Sequence, residues 1–382
     1  MRLRPGIAAA APLLFLMADA APGAQTNAPA APETAVKLST VAEGLENSWA
    51  LEFLPDGRML VTEKAGKLRV IAADGKAGPP VKGVPEVAAA GQGGLLDVAL
   101  ANDFAESGLI FLSYSEPRGQ GQSGTSVARA KLVLDGDGGT LEDVKVIFQQ
   151  LPAYGNGFHF GSRIVVTPEG NLFVTLGERS DPKTRVEAQN PKNHLGKIVY
   201  ITPDGAPAAS KPAQEGWDPL IWSIGHRNVQ GAVIDPETGQ LWTLEHGPQG
   251  GDELNHPESG KNYGWPIIIY GLEYSGGPVG EGITSKPGLE QPVYYWNPSI
   301  AVSSLLLYTG DLFPEWKGNF LAGALKYMQV QRLVVKDGEV VAHEVLAKDI
   351  GERVRDLKQG PDGAVYLVTD DAKGRIVRMA PE

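Results

Sequence analysis

The sequence contains no cysteine among its 382 residues. Disulfide bonds, thiolate-bound metals and thiol nucleophiles are therefore excluded, and the fold must be stabilised by its core and by strand pairing. Basic residues are also scarce, since 34 lysines and arginines against 45 acidic residues give a formal net charge of −11. Such a chain lacks the basic surface that nucleic-acid binding requires, so we expect no nucleic-acid partner.

Long apolar runs are missing as well. The apolar stretch "GIAAAAPLLFLMA" near the N-terminus follows Arg2 and Arg4 and precedes the small residues of "ADAAPGA". It is too short to span a bilayer and has the three-part pattern of a secretory signal, although a retained membrane anchor is the alternative. We therefore expect a signal peptide over residues 1–24, export to the periplasm, and no membrane insertion of the mature chain. The Ala/Pro-rich residues 25–35 are expected to form a flexible lead-in.

Glycine and proline are abundant, with 48 and 29 residues respectively, and both mark turns. Between the turns, short runs alternate apolar and polar residues, as half-buried antiparallel strands do. One unit recurs, consisting of an apolar strand, a Pro/Asp/Gly turn and a second strand. Its six copies lie at 49–71, 98–116, 163–178, 231–247, 312–325 and 357–379.

Six such units predict an all-β fold, a six-bladed β-propeller of four-stranded antiparallel blades over residues 36–382, because radial repetition leaves few free strand edges. We expect the N-terminal strand, near residues 36–41, to complete the last blade. Residues 343–357 have helical propensity, but their position before the final hairpin favours an extended connection. Two domains joined by a linker are the alternative, although the composition shows no break after residue 36.

Two polar, glycine-flanked segments lie beside these hairpins, where the loops of a propeller form ligand sites. "WSIGHRNVQG" (222–231) contains Arg227 and Asn228, and an arginine stays protonated and can polarise a carbonyl. "GNGFHFGSRIVV" (155–166) contains His159, whose imidazole can accept a proton near neutral pH. A solvated surface run and a structural histidine are the respective alternatives. We expect Arg163 to anchor its loop.

Two further sets of residues indicate ionic ligands. The loop "EHGPQGGDELN" offers oxygen donors from Glu245, Asp252 and Glu253 and from the carbonyls of Gly247 and Pro248. Hard oxygen donors on an irregular loop suit Ca²⁺ better than Zn²⁺, and an acidic surface loop is the alternative. The second set, Lys326, Arg353 and Arg355, suits an anion with several carboxylates, unless these are exposed cations on a polar face. These four features fit one site: an anionic quinone held by calcium. They are a base, a group that polarises a carbonyl, a loop that binds a hard cation, and a set of cations that binds several carboxylates.

The segments "HFGSR", "GHRNVQG", "EHGPQGGDELN", "GKNYGWP" and "RVRDL" resemble those of the soluble PQQ-dependent aldose (glucose/sorbosone-type) sugar dehydrogenases, which are six-bladed propellers. The resemblance covers about residues 37–380. It implies an oxidoreductase that converts aldose sugars at C1 to the aldonolactone, with PQQ as hydride acceptor and Ca²⁺ as a second cofactor. It also implies reoxidation by an external electron acceptor, a cytochrome or a quinone. The chain lacks the long inserts associated with dimerisation in the glucose-dehydrogenase branch of that family, so we expect a monomer.

The same resemblance implies a role for each site residue. His159 would be the general base, and Arg227 would hold the C5 oxygen of PQQ. The residues implied to bind the cofactor are Gln92, Asn228, Ser299, Lys326, Arg353 and Arg355. Those implied to bind Ca²⁺ are Gly247 and Pro248, through backbone carbonyls, and Glu253 and Tyr263, through their side chains at a second, structural site.

Two other functions are compatible with parts of the sequence. A calcium-dependent lactonase or esterase would use the metal as Lewis acid and His159 to activate water, but it gives the cationic set of Lys326, Arg353 and Arg355 no role. A propeller that binds carbohydrate or protein partners without catalysis leaves His159 and Arg227 unexplained.

Overall fold

The structure, a computed structural model, describes residues 24–382. The predicted signal peptide, residues 1–24, lies outside the described residues except for its last one, and it stays a prediction. Within the described part of the chain, no helix is both long enough and apolar enough to cross a membrane.

Strands of residues 24–382 form six four-stranded antiparallel sheets, which we call blades 1 to 6. Blade 1 consists of β2 (Ser48–Phe53), β3 (Met59–Glu63), β4 (Lys67–Ile71) and β5 (Ala77–Pro80). Blade 2 consists of β6 (Leu95–Leu100), β7 (Leu109–Pro117), β8 (Ser123–Asp135) and β9 (Gly138–Gln149). Blade 3 consists of β10 (Gly161–Val166), β11 (Leu172–Leu176), β12 (Lys197–Ile201) and β13 (Ile221–Ile224). Blade 4 consists of β14 (Val229–Ile234), β15 (Leu241–Glu245), β16 (Asp252–Asn255) and β17 (Tyr294–Trp296). Blade 5 consists of β18 (Val302–Leu307), β19 (Phe320–Ala324), β20 (Gln329–Lys336) and β21 (Glu339–Leu346). Blade 6 consists of β22 (Val354–Gln359), β23 (Val365–Thr369), β24 (Gly374–Pro381) and β1 (Val36–Leu45). The helical segments among these residues are α1 (Phe104–Ser107), α2 (Pro182–Arg185) and the 3₁₀ turns Val186–Gln189 and Pro314–Trp316.

The ring closes by pairing the two ends of the propeller. Strand β1 runs antiparallel to β24, with Val36 opposite Pro381 and Leu45 opposite Gly374. The prediction that the N-terminal strand completes the last blade is therefore confirmed. The first strands of successive blades, β2, β6, β10, β14, β18 and β22, contact their neighbours around the ring. The fold is the predicted six-bladed β-propeller.

Turn chemistry explains why the predicted hairpins form. In blade 1, the N–H of Gly57 donates to the carbonyl of Leu54, and the Asp56 carboxylate accepts the N–H of Arg58. Gly57 has φ 86°, a left-handed conformation that favours glycine. The segment 343–357 contains no helix: its two ends belong to β21 and β22, and residues 347–353 form a turn between them, because pairing within the blades overrides its helical propensity.

Burial within the blades is more complete than the sequence pattern predicts. The alternation in "RMLVTE" predicts a half-buried strand, yet every residue of β3 is buried. The reason is that each face of a blade is covered by a neighbouring blade, as in the cluster where Leu60 of blade 1 packs with Leu112 and Tyr114 of blade 2. A strand covered on both faces needs no polar side.

Residues 25–35, predicted to be a flexible lead-in, make defined contacts along blades 4 and 5. Gln25 pairs with Tyr294, and its side-chain oxygen accepts the N–H of Val340 at 2.9 Å. The N–H of Ala31 donates to the carbonyl of His343 at 2.7 Å, and Ala28 is buried. These hydrogen bonds attach the segment to the propeller, and its flexibility, which the composition predicts, stays a prediction.

A charged cluster lies where the inner strands meet. The buried Arg163 places Nη1 3.0 Å from Oδ1 of Asp97 and 3.1 Å from Oδ1 of Asp356. Its guanidinium lies 4.4 Å from the ring centroid of Trp49, and Asp356 also accepts the N–H of Leu51 at 3.0 Å. We call Arg163, Asp97 and Asp356 the axial hub. It ties blades 1, 2, 3 and 6 together and confirms the prediction that Arg163 anchors its loop.

Candidate active site

A cavity of about 210 Å³ lies at the centre of the ring, and we call it the axial cavity. All six blades contribute to its wall. Its polar lining residues are Lys64, Gln92, Gln230, His246, Arg353, Arg355 and Asp370. Its apolar lining includes the side chains of Trp49, Leu96, Phe160 and Leu325. A central cavity with few apolar and many hydrogen-bonding groups suits a polar, charged ligand.

His159 lies two residues before β10, next to the cavity residues Phe160 and Gly161. It has φ 47°, an uncommon backbone conformation for a non-glycine residue, and its N–H donates to Oε1 of Gln92 at 2.8 Å. Nδ1 of its buried ring lies 2.7 Å from Oε1 of Glu178. When Nδ1–H donates to this carboxylate, Nε2 keeps a lone pair that can accept a proton.

The charges around this pair keep the imidazole neutral. Burial lowers the pKa of His159 well below its ordinary value, and the positive charges of Arg227 and Arg179 lower it further. Burial also raises the pKa of Glu178 to about 7, while the charges of Arg227 and Arg185 oppose the rise. A neutral imidazole oriented by a carboxylate is the arrangement that a general base needs. The sequence pattern did not single out Glu178, which lies two residues after the end of β11.

Arg227 connects blades 3 and 4 and is 5% exposed. Its Nη1 donates to the carbonyl of His246 at 3.0 Å and to that of Gly247 at 2.8 Å. Its guanidinium lies 5.2 Å from the ring centroid of Trp265. Among residues 24–382, its side chain makes no ion pair and its Nε has no hydrogen-bond partner. The side chain of Arg227 thus donates hydrogen bonds only to neutral groups, and its charge acts on Glu178 without a direct ion pair.

Other buried donors near Arg227 also lack acceptors. Asn228 is fully buried, and its Oδ1 accepts the N–H of Gly161 at 3.0 Å, but within the described chain its Nδ2 has no partner. The same holds for Nε of Arg355 and Nε1 of Trp265. Buried donors in native proteins are nearly always paired. Donors without a hydrogen-bond partner also occur elsewhere in the described chain, as at Arg118 and Arg185, so it is the position of Arg355 in the cavity wall and of Asn228 beside it that suits a ligand rich in hydrogen-bond acceptors.

Arg353 and Arg355 lie on the same side of the chain, as residues two apart in an extended segment do. Nη2 of Arg355 lies 2.8 Å from Oδ2 of Asp370, and Nε of Arg353 lies 3.7 Å from the same oxygen. Both arginines line the axial cavity, together with Lys64. The wall from blades 6 and 1 is therefore positively charged overall.

The remaining two predicted cofactor residues lie beside the cavity wall. Lys326 is exposed, and it follows the lining residue Leu325. The Oγ of Ser299 donates to the carboxylate of Asp252, at 2.8 Å from either oxygen, two residues before the lining residue Ala301. Of the six predicted residues, the structure thus brings Gln92, Arg353 and Arg355 into the wall. Asn228 lies behind the wall and is hydrogen-bonded to the lining residue Gly161, while Ser299 and Lys326 are close in sequence to the lining residues Ala301 and Leu325.

Asp252 has a structural role in the predicted calcium loop. Its carboxylate accepts hydrogen bonds from Ser299, from the N–H of Gly247 at 2.9 Å and from the N–H of Ala301 at 2.7 Å. These bonds hold the loop around Gly247 and Pro248, whose carbonyls are the predicted ligands. The carboxylate of Asp252 is fully used in this way, in contrast to its predicted availability for a metal.

Two buried carboxylates, Glu245 and Glu253, lie next to this loop. Nδ2 of Asn255 donates to Glu245 at 3.0 Å and to Glu253 at 3.2 Å, while Oδ1 of Asn255 has no partner among residues 24–382. Burial and the negative charge of Glu245 raise the pKa of Glu253 well above its ordinary value. Two carboxylates that repel each other beside an unpaired amide oxygen form a donor set that fits a hard cation.

Tyr263, the other predicted ligand of the second calcium site, has a different set of partners. Its hydroxyl donates to the carbonyl of His256 at 2.6 Å and accepts the N–H of Glu258 at 3.0 Å. Glu245 is engaged as well, because its carboxylate accepts the backbone N–H of Arg227 at 2.7 Å and lies 3.1 Å from Nδ1 of His226. No group of three or more His, Cys, Asp or Glu side chains that could hold a metal occurs in the described range 24–382, so backbone or amide oxygens would have to complete either site.

Comparisons with known proteins add an independent finding. The family model for glucose/sorbosone dehydrogenases matches residues 45–378. The chain is 42% identical over 356 residues to the aldose sugar dehydrogenase YliI of Escherichia coli (strain K12), which covers 92% of this chain and 94% of that protein. A solved glucose dehydrogenase structure is 43% identical, with a TM-score of 0.86, covering 90% of this chain and 99% of that one. The PQQ-bound aldose sugar dehydrogenase of Streptomyces coelicolor is 26% identical, with a TM-score of 0.76, covering 92% and 100%.

Proposed function

Because the chain belongs to the glucose/sorbosone dehydrogenase family, we propose that it oxidises aldose sugars at C1 to the aldonolactone, with PQQ as hydride acceptor and Ca²⁺ as a second cofactor. The observation that carries the proposal is the oriented pair of His159 and Glu178 beside a cavity with unpaired buried donors. The likeness to a PQQ-bound enzyme of the same fold supports the choice of cofactor.

The residues of the axial cavity fit PQQ, an acceptor-rich quinone that carries three carboxylates. Arg353 and Arg355 supply positive charge for the carboxylates, and the unpaired Nδ2 of Asn228 and Nε of Arg227 supply donors for oxygen atoms. Gln92 lines the same cavity. Ser299 and Lys326 complete the proposed set, and their part in it requires the loops at 299 and 326 to turn toward a bound cofactor.

Oxidation of the sugar removes a proton from the C1 hydroxyl and a hydride from C1. We assign the proton to Nε2 of His159, because Nδ1 faces Glu178 and the ring is neutral. Glu178 then stabilises the imidazolium, and Arg227 places a fixed positive charge beside the reacting groups without any need to reorganise. PQQ, when bound, supplies the acceptor for the hydride.

Two oxygen sets are proposed for Ca²⁺. The carbonyls of Gly247 and Pro248 lie on the loop that Asp252 holds in place, and the Gly247 carbonyl also accepts from Arg227 at 2.8 Å. The second, structural site is proposed at the side chains of Glu253 and Tyr263. The buried carboxylate of Glu253 and the unpaired Oδ1 of Asn255, whose Nδ2 donates to Glu253, support the proposal.

The remaining proposals concern the setting of the reaction. The basic, apolar and small-residue pattern of residues 1–24 supports export to the periplasm. There, a small aldose would be the substrate, and an external cytochrome or quinone would reoxidise the cofactor of a monomeric enzyme.

Reconstitution of the purified apoprotein tests the proposal. Dye-linked oxidation across a panel of aldoses should appear only when PQQ and Ca²⁺ are both added, and chelation of the metal should abolish it. If no aldose is oxidised and the cofactor-free protein hydrolyses lactones, the lactonase hypothesis replaces this one.

The assignment of the base is tested with His159→Ala. This variant should still bind PQQ but lose turnover by about 10²–10⁴-fold, the usual contribution of a general base. His343→Ala is the matched control, because His343 lies on the outer strand β21 against Ala28, away from the axial cavity, and should keep full turnover. Full turnover of His159→Ala would show that another group accepts the proton.

A further inference from the structure

Lys64 lies in the turn between β3 and β4 of blade 1 and is half-buried. It lines the axial cavity together with Arg353, Arg355 and Asp370. It also lines a neighbouring cleft of about 390 Å³, whose other walls include Asn47 and Gly91. Lys64 therefore belongs to the wall that the cavity and this cleft share.

The charges that line the cavity indicate that Lys64 can bind an anion. Asp370 pairs with Arg355 at 2.8 Å and also accepts from Nδ2 of Asn47 at 3.2 Å. Arg353 and Arg355 against Asp370 leave one net positive charge, and Lys64 raises it to two. Burial lowers the pKa of Lys64, the charge of Asp370 opposes this effect, and no salt bridge engages Lys64 within residues 24–382. Its ammonium group is thus partly desolvated and free to bind an anion.

We propose that Lys64 is a cofactor-binding residue that pairs with a carboxylate of the bound quinone. This inference rests on the proposed function. The cations Lys64, Arg353 and Arg355 line the cavity from blades 1 and 6. His159 and Arg227 lie just outside its lining on blades 3 and 4, since His159 precedes the lining residue Phe160 and Arg227 donates to the carbonyl of the lining residue His246. The anionic part of the ligand is held on one side of the ring, and the proton is handled on the other.

The chain offers a matched control three residues away. Lys67 carries the same charge on the same hairpin, but it pairs with Glu46 at 2.7 Å and does not line the axial cavity. A nonspecific electrostatic effect would be lost equally from Lys64→Gln and Lys67→Gln. A specific contact would be lost only from the first.

The test is a titration of apoprotein with PQQ, with Ca²⁺ present throughout. Quenching of tryptophan fluorescence reports binding independently of turnover, since Trp49 lines the cavity. Lys64→Gln should raise Kd by roughly 10- to 100-fold, the effect of losing one charge-assisted hydrogen bond. Lys64→Arg should stay within about threefold of wild type because the charge remains, and Lys67→Gln should bind as wild type does. The affinity of wild type should also fall more steeply with added salt than that of Lys64→Gln.

Equal PQQ affinity of wild type and Lys64→Gln would overturn the inference and leave the proposed function intact. Failure of the wild type itself to bind PQQ would instead overturn the proposed function. If Lys64→Gln does not melt cooperatively, Lys64→Met keeps the aliphatic stem and allows the same comparison. A Lys64→Arg protein that binds as weakly as Lys64→Gln would also contradict a charge-based contact.

Discussion

Arg163 and Arg227 show how two buried arginines in one ring serve different ends. Each is 5% exposed, and each lies near the first strand of its blade. Arg163 faces two carboxylates, Asp97 and Asp356, whereas the side chain of Arg227 donates only to backbone carbonyls. Both also have one N–H without a partner among residues 24–382, so hydrogen-bond satisfaction does not distinguish them. The direct ion pair distinguishes the two arginines. Arg163 forms ion pairs with two carboxylates and joins the blades, whereas Arg227 forms none and is available to an anionic ligand.

The largest expected effect is on the axial hub. Arg163→Met should lower the free energy of unfolding by about 3–5 kcal/mol, because it leaves Asp97 and Asp356 buried without their partner. Urea unfolding measures this change. Lys76→Met, which removes the exposed pair with Asp137, is the control and should have no measurable effect. A loss below about 1 kcal/mol in Arg163→Met would mean that the hub is not what holds the blades together.

Arg227→Met should show the opposite pattern. Turnover should fall by about 10²–10³-fold, since a preorganised positive charge beside the base is lost. Stability should change by about 1 kcal/mol or less, because relief of a buried charge offsets the hydrogen bonds to His246 and Gly247. Steady-state kinetics and urea unfolding on one preparation separate the two effects. An Arg227→Met protein as unstable as Arg163→Met would break the comparison between the two arginines.

The smallest expected effect concerns Glu178 and depends on pH. Its pKa of about 7 lies above the ordinary value of 4.5, so the carboxylate that orients His159 forms only as the pH rises through about 7. Turnover of wild type should rise over that range. Glu178→Gln should lack the step and be roughly tenfold slower above it, since a neutral acceptor binds the imidazolium more weakly.

The same variant provides a check on stability. A carboxyl whose pKa is raised in the folded state contributes stability that is present below pH 4.5 and is lost as the pH rises through about 7. Unfolding of wild type should therefore show this loss, and Glu178→Gln should show less of it. Identical pH profiles for both proteins would place the ionisation on another group.

The sequence was sufficient for the fold because its signals are local. Turn residues such as Asp56 and Gly57 fix each hairpin, and six repeats fix the ring. Glu178 was not within reach of the same reasoning. Counting the register outward from the turn between β10 and β11, where Ile164 pairs with Val174, would place His159 opposite Arg179. A bulge between Gly161 and Ile164 shifts the pairing by one residue, so that Gly161 faces Leu176 and His159 meets Glu178.

No local sequence signal, such as a turn residue or a hairpin register, pointed to a binding role for Lys64. Its relation to Arg353 and Arg355 exists only because blades 6 and 1 become neighbours when the ring closes. The role of Asp252 was hidden for a related reason, since its partner Ser299 lies 47 positions away, on the strand connection into blade 5. Chemistry that depends on closure of the ring requires the three-dimensional structure.

The pairing of β1 with β24 has a consequence for biosynthesis. The strand of the propeller that leaves the ribosome first has no partner until the strand that leaves it last has been made. Until that moment the two ends of the chain are unpaired edges, and the cationic side of the cavity has its arginines and its lysine on opposite sides of an open gap. A ligand that contacts both sides of this wall can therefore bind only after both end strands of the propeller have been made, so it cannot guide the early steps of folding.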